Sequence, residues 1–230
     1  MSVDPPETYR YILYIVFFVW FLMDRTDFYK DYNNIILKCC KPYEKFLKIA
    51  ANAVPEGTNS VCELGVGTGN FSRLVGERFP AAKMYGVDNT PAFLDIAASR
   101  VGNFNGIEGD LNYCKLPKVD YFISSLALHH LDTSKRKERL TEIVRNSKGL
   151  INFDFVLDNE HNFDDSVQLT MDFVKKSFTN KKTLENIESE MRLHDNPMHI
   201  DEQREIFESL GMNFEILAKH SPHIIYRAFW

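Results

Sequence analysis

Two periods alternate along this chain. Over residues 24–53 the apolar positions Ile36, Phe46, Leu47, Ala50 and Ala51 recur at spacings of three and four, which predicts helix, and Pro42 sets a break between two segments. The stretch "PEGTN" ends them. Short apolar runs then take turns with amphipathic ones: residues 60–64, 83–87, 105–108 and 120–124 read as strands, and residues 70–79 and 92–101 as helices. Residues 135–146 form a charged amphipathic helix and 149–155 a buried strand. Two helices rich in Lys and Glu fill residues 164–195, longer than an ordinary connection. A helix over 201–210 stops at Gly211, where a left-handed cap fits. Runs at 214–219 and 224–230 flank "HSPH" at hairpin spacing. Strands separated by helices of this length predict an α/β fold: a doubly wound, mostly parallel seven-strand sheet with helices on both faces and a C-terminal antiparallel hairpin.

Length and composition narrow this. At 230 residues and 44% apolar, the chain suits one core. Residues 1–58 read as an N-terminal apolar segment and helical cap, and residues 59–230 as the main domain, with a helical lid insert at about 160–198. The 27 basic and 32 acidic residues leave a net charge of −5, which gives no general attraction to nucleic acid or anionic lipid. Cys39, Cys40, Cys62 and Cys114 form no C-x-x-C pair, so neither a zinc site nor a disulfide framework is expected. Residues 11–23, "YILYIVFFVWFLM", carry no charge but fall short of the ~20 residues a spanning helix needs. Three readings stay open for this run: a membrane-dipping anchor, a helix packed on the domain, or sequence upstream of a start at Met23. A cytoplasmic protein, free or touching a membrane surface through this run, is the expectation.

The candidate chemistry starts at "VCELGVGTGNFSRL". Gly65, Gly67 and Gly69 lie between a strand and a helix N-terminus, where a ligand can lie against backbone amides with no Cβ in the way. A dinucleotide fingerprint has its third glycine at the place of Asn70, so the spacing disfavours NAD. Glu63 adds a carboxylate at the strand's end, expected to point into the same crevice, suited to an ammonium or a bound water. Asp88, in "YGVDNT", lies 19 residues after Gly69, the spacing at which an acid ending the second strand accepts from both hydroxyls of a ribose. Asp110, in "GIEGDL", closes the next strand, placed to accept from an adenine amino group with Leu111 beside the ring edge. Three successive strands thus end in acids at the carboxyl edge of the sheet, where open α/β sheets bind ligands.

With "ELGVGTGN", "GVDNTPAFLDIA", "IEGDL" and "VDYFISSLALHHL" in this order, the chain resembles the class I S-adenosylmethionine-dependent methyltransferases over residues 59–230. The resemblance implies S-adenosylmethionine as cofactor and S-adenosylhomocysteine as product. It implies that Gly65, Gly67 and Gly69 approach the cofactor, that Asp88 and Asn89 meet its ribose, that Asp110 and Leu111 meet its adenine, and that Ser125 lies near its methionine part.

A sulfonium methyl is already activated, so the main task is to hold a nucleophile in line and exclude water, and no metal is required. An acceptor of high pKa also needs a base, for which His129 in "LALHHL" is the candidate, with the alternative that the pair shapes the loop. Tyr29, Tyr32, His130 and His199 are candidates to contact a small-molecule acceptor; Tyr29 and Tyr32 equally suit helix packing, and His199 equally precedes a helix start at Asp201. Lys175, Lys176, Lys181 and Lys182 suit either an anionic acceptor or a solvated helix face.

Rival functions stay open. In the length and order of its last elements, the chain also resembles the enzymes that carboxylate S-adenosylmethionine for wobble-uridine modification. Those carry an arginine five residues before the helix-ending glycine, where this chain has Ile206. A tRNA or protein methyltransferase and a non-catalytic S-adenosylmethionine-binding protein are the others.

Overall fold

The computed structural model describes residues 25–230, with side chains from residue 32 onward. The apolar run at 11–23 and the side chain of Tyr29 lie outside the described residues. Among these residues no helix is long and apolar enough to cross a membrane.

Two helices, α1 (Arg25–Cys39) and α2 (Tyr43–Asn52), break around Pro42 as the pattern predicts. After them come β1 (Ser60–Leu64), α3 (Asn70–Arg78), β2 (Lys83–Asp88), α4 (Pro91–Arg100), β3 (Phe104–Glu108) and β4 (Tyr121–Ser125). A 3₁₀ turn (Leu128–His130) leads to α5 (Arg136–Arg145) and β5 (Gly149–Phe155). The chain ends with α6 (Phe163–Val174), α7 (Lys181–His194), α8 (Ile200–Ser209), β6 (Asn213–His220) and β7 (His223–Phe229). The seven strands form one sheet in the order β3-β2-β1-β4-β5-β7-β6. The first five are parallel, and β7 runs antiparallel to both β5 and β6. Predicted and observed elements agree to within one or two residues at their ends. Gly211 takes φ +88 just past α8, the left-handed stop expected there.

Successive strand residues point to opposite faces, so each parallel strand feeds two cores. On one face Cys62, Phe122 and Leu150 pack with Leu140 and Ile143 of α5 and Phe207 of α8. On the other, Val61, Ile123 and Ile151 pack with Phe46 and Ala50 of α2 and Phe71 and Val75 of α3. That is why these strands read as unbroken apolar runs.

Register then sets the site. Leu64 pairs with both Val87 and Ser124, and Ser125 with Phe153, so the carboxyl ends of β2, β1, β4 and β5 finish side by side. Strand order reverses between β1 and β4, which opens a crevice there. Helices α6 and α7 close over it as a pair with a small apolar core of their own: Phe155, Val167, Met171, Val174, Ile187 and Met191. The pair is well bounded locally, since Asn162 and Asp165 form a reciprocal capping box on α6 and Asn180 caps α7. Lys175, Lys176, Lys181 and Lys182 stand exposed on the outside of this pair.

Candidate functional site

One cavity of about 150 Å³ lies in the crevice, between the turn after β1, the ends of β4 and β5, and the faces of α1, α6 and α7. Its floor is the glycine turn. Gly65 adopts φ +67, and a Cβ there would lie 2.4 Å from the Cβ of Ala127, so only glycine fits against the β4 loop. Gly67, at φ +49, has nothing within 4 Å of where a Cβ would sit, so its backbone faces open space in the cavity wall. Gly69 is the N-cap of α3. The turn is tied to α1 through Asn33, whose side-chain oxygen accepts from Thr68 Oγ1 (2.6 Å) and Asn70 Nδ2 (2.7 Å), and Arg100 donates to the Thr68 carbonyl (2.6 Å).

Asp88 is buried beside this turn and lines the cavity. Its carboxylate accepts from the amides of Gly67 and Thr90, each at 2.9 Å. Burial outweighs those bonds and raises its pKa to about 6. Tyr32 of α1 lies across the cavity with its ring edge-on to Phe93, centroids 5.2 Å apart. Ser125 lines the wall, followed by Leu126 at φ +52, an uncommon conformation for a branched residue, where the chain leaves β4.

Opposite the glycines sits a polar cluster assembled from four elements. His129 is buried; its Nδ1 lies 2.5 Å from Oδ1 of Asp154, near the end of β5, and its amide donates to Oδ2 of the same carboxylate (3.1 Å). Burial opposes charge on His129, but the carboxylates of Asp154 and Asp195 outweigh it and raise its pKa. Asp195, just past α7, has one oxygen 3.6 Å from His129 Nε2 and 3.6 Å from His130 Nδ1. Burial pushes Asp195 up to about 6 and, helped by neighbouring His129, holds His130 well below the usual histidine value. His223, at the start of β7, also faces the cavity and is kept neutral by burial, with a pKa of about 3.

Residues 61–149 match a family described as a methyltransferase domain. Over 130 residues the chain is 27% identical to a carboxy-S-adenosyl-L-methionine synthase of Campylobacter jejuni, covering 52% of this chain and 55% of that protein. Over 86 residues it is 29% identical to a trans-aconitate 2-methyltransferase of Escherichia coli, covering 37% and 34%. The chain thus spans about half the length, or less, of these curated relatives. Among solved structures, the plantazolicin methyltransferase bound to S-adenosylhomocysteine superposes with a TM-score of 0.64 at 14% identity, covering 91% of this chain and 92% of that one. Human N-acetylserotonin methyltransferase, solved in complex with S-adenosylmethionine, gives 0.62 at 16% identity over 97% of this chain and 61% of its own.

Residues 61–149 are a methyltransferase domain, set in the fold of the class I S-adenosylmethionine-dependent methyltransferases.

Within this methyltransferase fold the predicted residues divide. Gly65, Gly67, Asp88, Ser125, Tyr32, His129 and His130 meet at the cavity. Glu63 does not point into it, contrary to expectation. Its side chain turns inward and accepts from the Ser72 amide (2.8 Å), in the first turn of α3, and from Ser125 Oγ (3.4 Å); burial lifts its pKa to about 8. Asp110 and Leu111 lie outside the cavity wall, because Asp110 folds into its own turn to accept from the Asn112 amide (2.7 Å) and Leu111 packs into the core. Asn89 stays half-buried beside Asp88, its oxygen accepting from Thr90 Oγ1 (3.1 Å). His199 does not reach the cavity either. It caps α8, its Nδ1 accepting from the Asp201 amide (3.2 Å), while its backbone bridges to Leu157.

The sequence reading missed Asp154, Glu190, His194, Asp195 and His223. Asp154 left a legible signal, a carboxylate inside the mostly apolar strand "GLINFDF". Asp195 left none, since it is separated from His130 by the whole of β5, α6 and α7.

Proposed function

We propose that this protein transfers a methyl group from S-adenosylmethionine to a nucleophilic atom of a small molecule. The observation that carries the reading is that one cavity joins two unlike ends: a bare glycine turn with the buried Asp88, and a cluster of His129, His130 and Asp195 beneath α6 and α7. The glycine end suits the cofactor. Asp88 has oxygen lone pairs left for the ribose hydroxyls, the Gly67 backbone allows close approach, and Ser125 in the same wall suits the methionine part. The polar end suits the acceptor. As the bond from the methyl carbon to the acceptor atom forms, the bond to sulfur breaks and its electron pair returns to sulfur, leaving S-adenosylhomocysteine; the acceptor's proton leaves at the polar end. The helical pair excludes water from the in-line arrangement.

Similarity to a carboxy-S-adenosyl-L-methionine synthase makes chemistry on the cofactor itself the second reading. Ile206 speaks against it. That side chain is partly buried against the core between α8 and the sheet and supplies no guanidinium to the crevice.

Calorimetric titration with S-adenosylmethionine and, separately, NAD, followed by transfer of labelled methyl to panels of small molecules and of tRNA, tests the proposal. Saturable binding of S-adenosylmethionine alone with label in a small molecule supports it. Label only in tRNA, or binding without turnover on any acceptor, replaces it with the nucleic-acid or the non-catalytic reading. We also propose that residues 11–23 touch a membrane surface; unchanged fractionation after deletion up to Met23 would remove that idea.

A further inference from the structure

The polar end of the cavity holds an arrangement that hydrogen bonding does not explain. Asp154 takes the Nδ1 proton of His129, which leaves Nε2 as a bare lone pair. That lone pair faces an oxygen of Asp195 at 3.6 Å, and the Nδ1 of His130 faces the same oxygen at 3.6 Å. His130 Nδ1 is shut off from solvent and has no hydrogen-bond partner. A separation of 3.6 Å is too long for a hydrogen bond. It is close to the ~3.4 Å between two ligands that share one ion at tetrahedral angles and ~2.1 Å bonds. One donor atom from each of His129, His130 and Asp195 lies within 4.8 Å of the others.

We propose that His129 Nε2, His130 Nδ1 and the Asp195 carboxylate bind a divalent transition-metal cation of the zinc or ferrous class, with Asp154 as the carboxylate that orients His129. Two imidazole nitrogens and one carboxylate oxygen suit such ions and not magnesium, which takes oxygen ligands. The hydrogen bond from His129 Nδ1 to Asp154 is the outer contact by which proteins fix the tautomer of a ligating imidazole. Three protein ligands leave a position open to the cavity, where an acceptor oxygen or a water can bind; Glu190, whose buried Oε2 makes no hydrogen bond and lies 3.6 Å from His194 Nε2, lines the same cavity. This inference rests on reading the cluster as the acceptor end of the cavity, and it revises the expectation that no metal takes part. With Nε2 bound as a ligand, acidifying the acceptor falls to the cation and not to a free imidazole base.

The test uses the full 230-residue chain, stripped with a chelator and titrated calorimetrically with Zn²⁺, then with Mg²⁺, while Co²⁺ loading is followed by its visible absorption. The expected result is one Zn²⁺ per chain, an intense Co²⁺ spectrum of low coordination number, and affinity lowered at least about tenfold in His130→Ala, in Asp195→Asn and in the outer-contact variant Asp154→Asn. His130→Gln serves if the alanine variant does not fold. Absence of saturable Zn²⁺ binding, binding unchanged in both His130 and Asp195 variants, or preference for Mg²⁺ would each overturn the proposal. S-adenosylmethionine titrated into the same stripped samples separates the two readings: cofactor binding without metal binding defeats only this inference, and metal binding without cofactor binding defeats only the methyltransferase assignment.

Discussion

His129 Nδ1 and Asp154 Oδ1 sit 2.5 Å apart, both side chains almost wholly buried, in contact between the loop after β4 and the end of the adjacent parallel strand β5. The pair fixes which nitrogen of His129 faces the cavity. Replacing Asp154 with Asn removes the charge and the acceptor that hold this tautomer. Turnover is expected to fall about 10- to 100-fold, while S-adenosylmethionine affinity stays within about twofold because Asp154 does not line the cavity. Comparing kcat with the calorimetric Kd in one preparation checks this, and a parallel loss of both would show that the pair only supports folding.

At the other end of the cavity, Asp88→Asn is expected to weaken S-adenosylmethionine binding by about 10- to 100-fold, ~1.5–3 kcal/mol, the range for hydrogen bonds to a charged group. Wild-type binding is also expected to weaken as pH falls through about 6, where the raised Asp88 carboxyl takes up a proton and loses acceptor capacity. A flat Kd across that range would remove Asp88 from the ribose.

Gly65 and Gly67 separate packing from ligand approach. Gly65→Ala puts a methyl into Ala127 and is expected to cost about 1–3 kcal/mol of stability. Gly67→Ala meets no protein atom and is expected to cost ~1–2 kcal/mol through its positive φ alone, while abolishing measurable cofactor binding. Thermal melts and calorimetry on both variants check the contrast; retained binding in Gly67→Ala would place the ligand elsewhere.

Glu63 makes a pH prediction with a definite sign. Its folded pKa of about 8 lies above the ordinary 4.5, chiefly because burial penalises the charge, with Asp88 adding to it and the bonds from Ser72 and Ser125 opposing. A raised carboxyl stabilises the fold below its unfolded pKa, and that contribution is lost as pH rises from about 4.5 to 8. Glu63→Gln keeps an acceptor for the Ser72 amide and carries no such loss. Its Tm is therefore expected to gain on the wild type as pH rises through this window. Parallel pH profiles of the two would sink the assignment.

The sheet was legible because the pattern is simple where both faces are buried. Apolar runs such as "VCEL" and "YFISS" leave no choice of face, and the glycine spacing placed the turn after β1. Glu63 was misdirected by the same simplicity. Its position at the strand end was right, but strand alternation alone does not say whether a side chain at an end turns toward the crevice or back to the first turn of the next helix.

The order of elements, the glycine turn and the acids ending β1 and β2 came from local spacing, because backbone sterics and two-sided burial act over a few residues and write themselves into neighbouring positions. The polar end of the cavity was decided by tertiary structure alone. Asp195 reaches His129 and His130 only after β5 has inserted beside β4 and the α6–α7 pair has folded back over the sheet edge. No local period records a contact made by packing between residues 65 positions apart, such as His130 and Asp195.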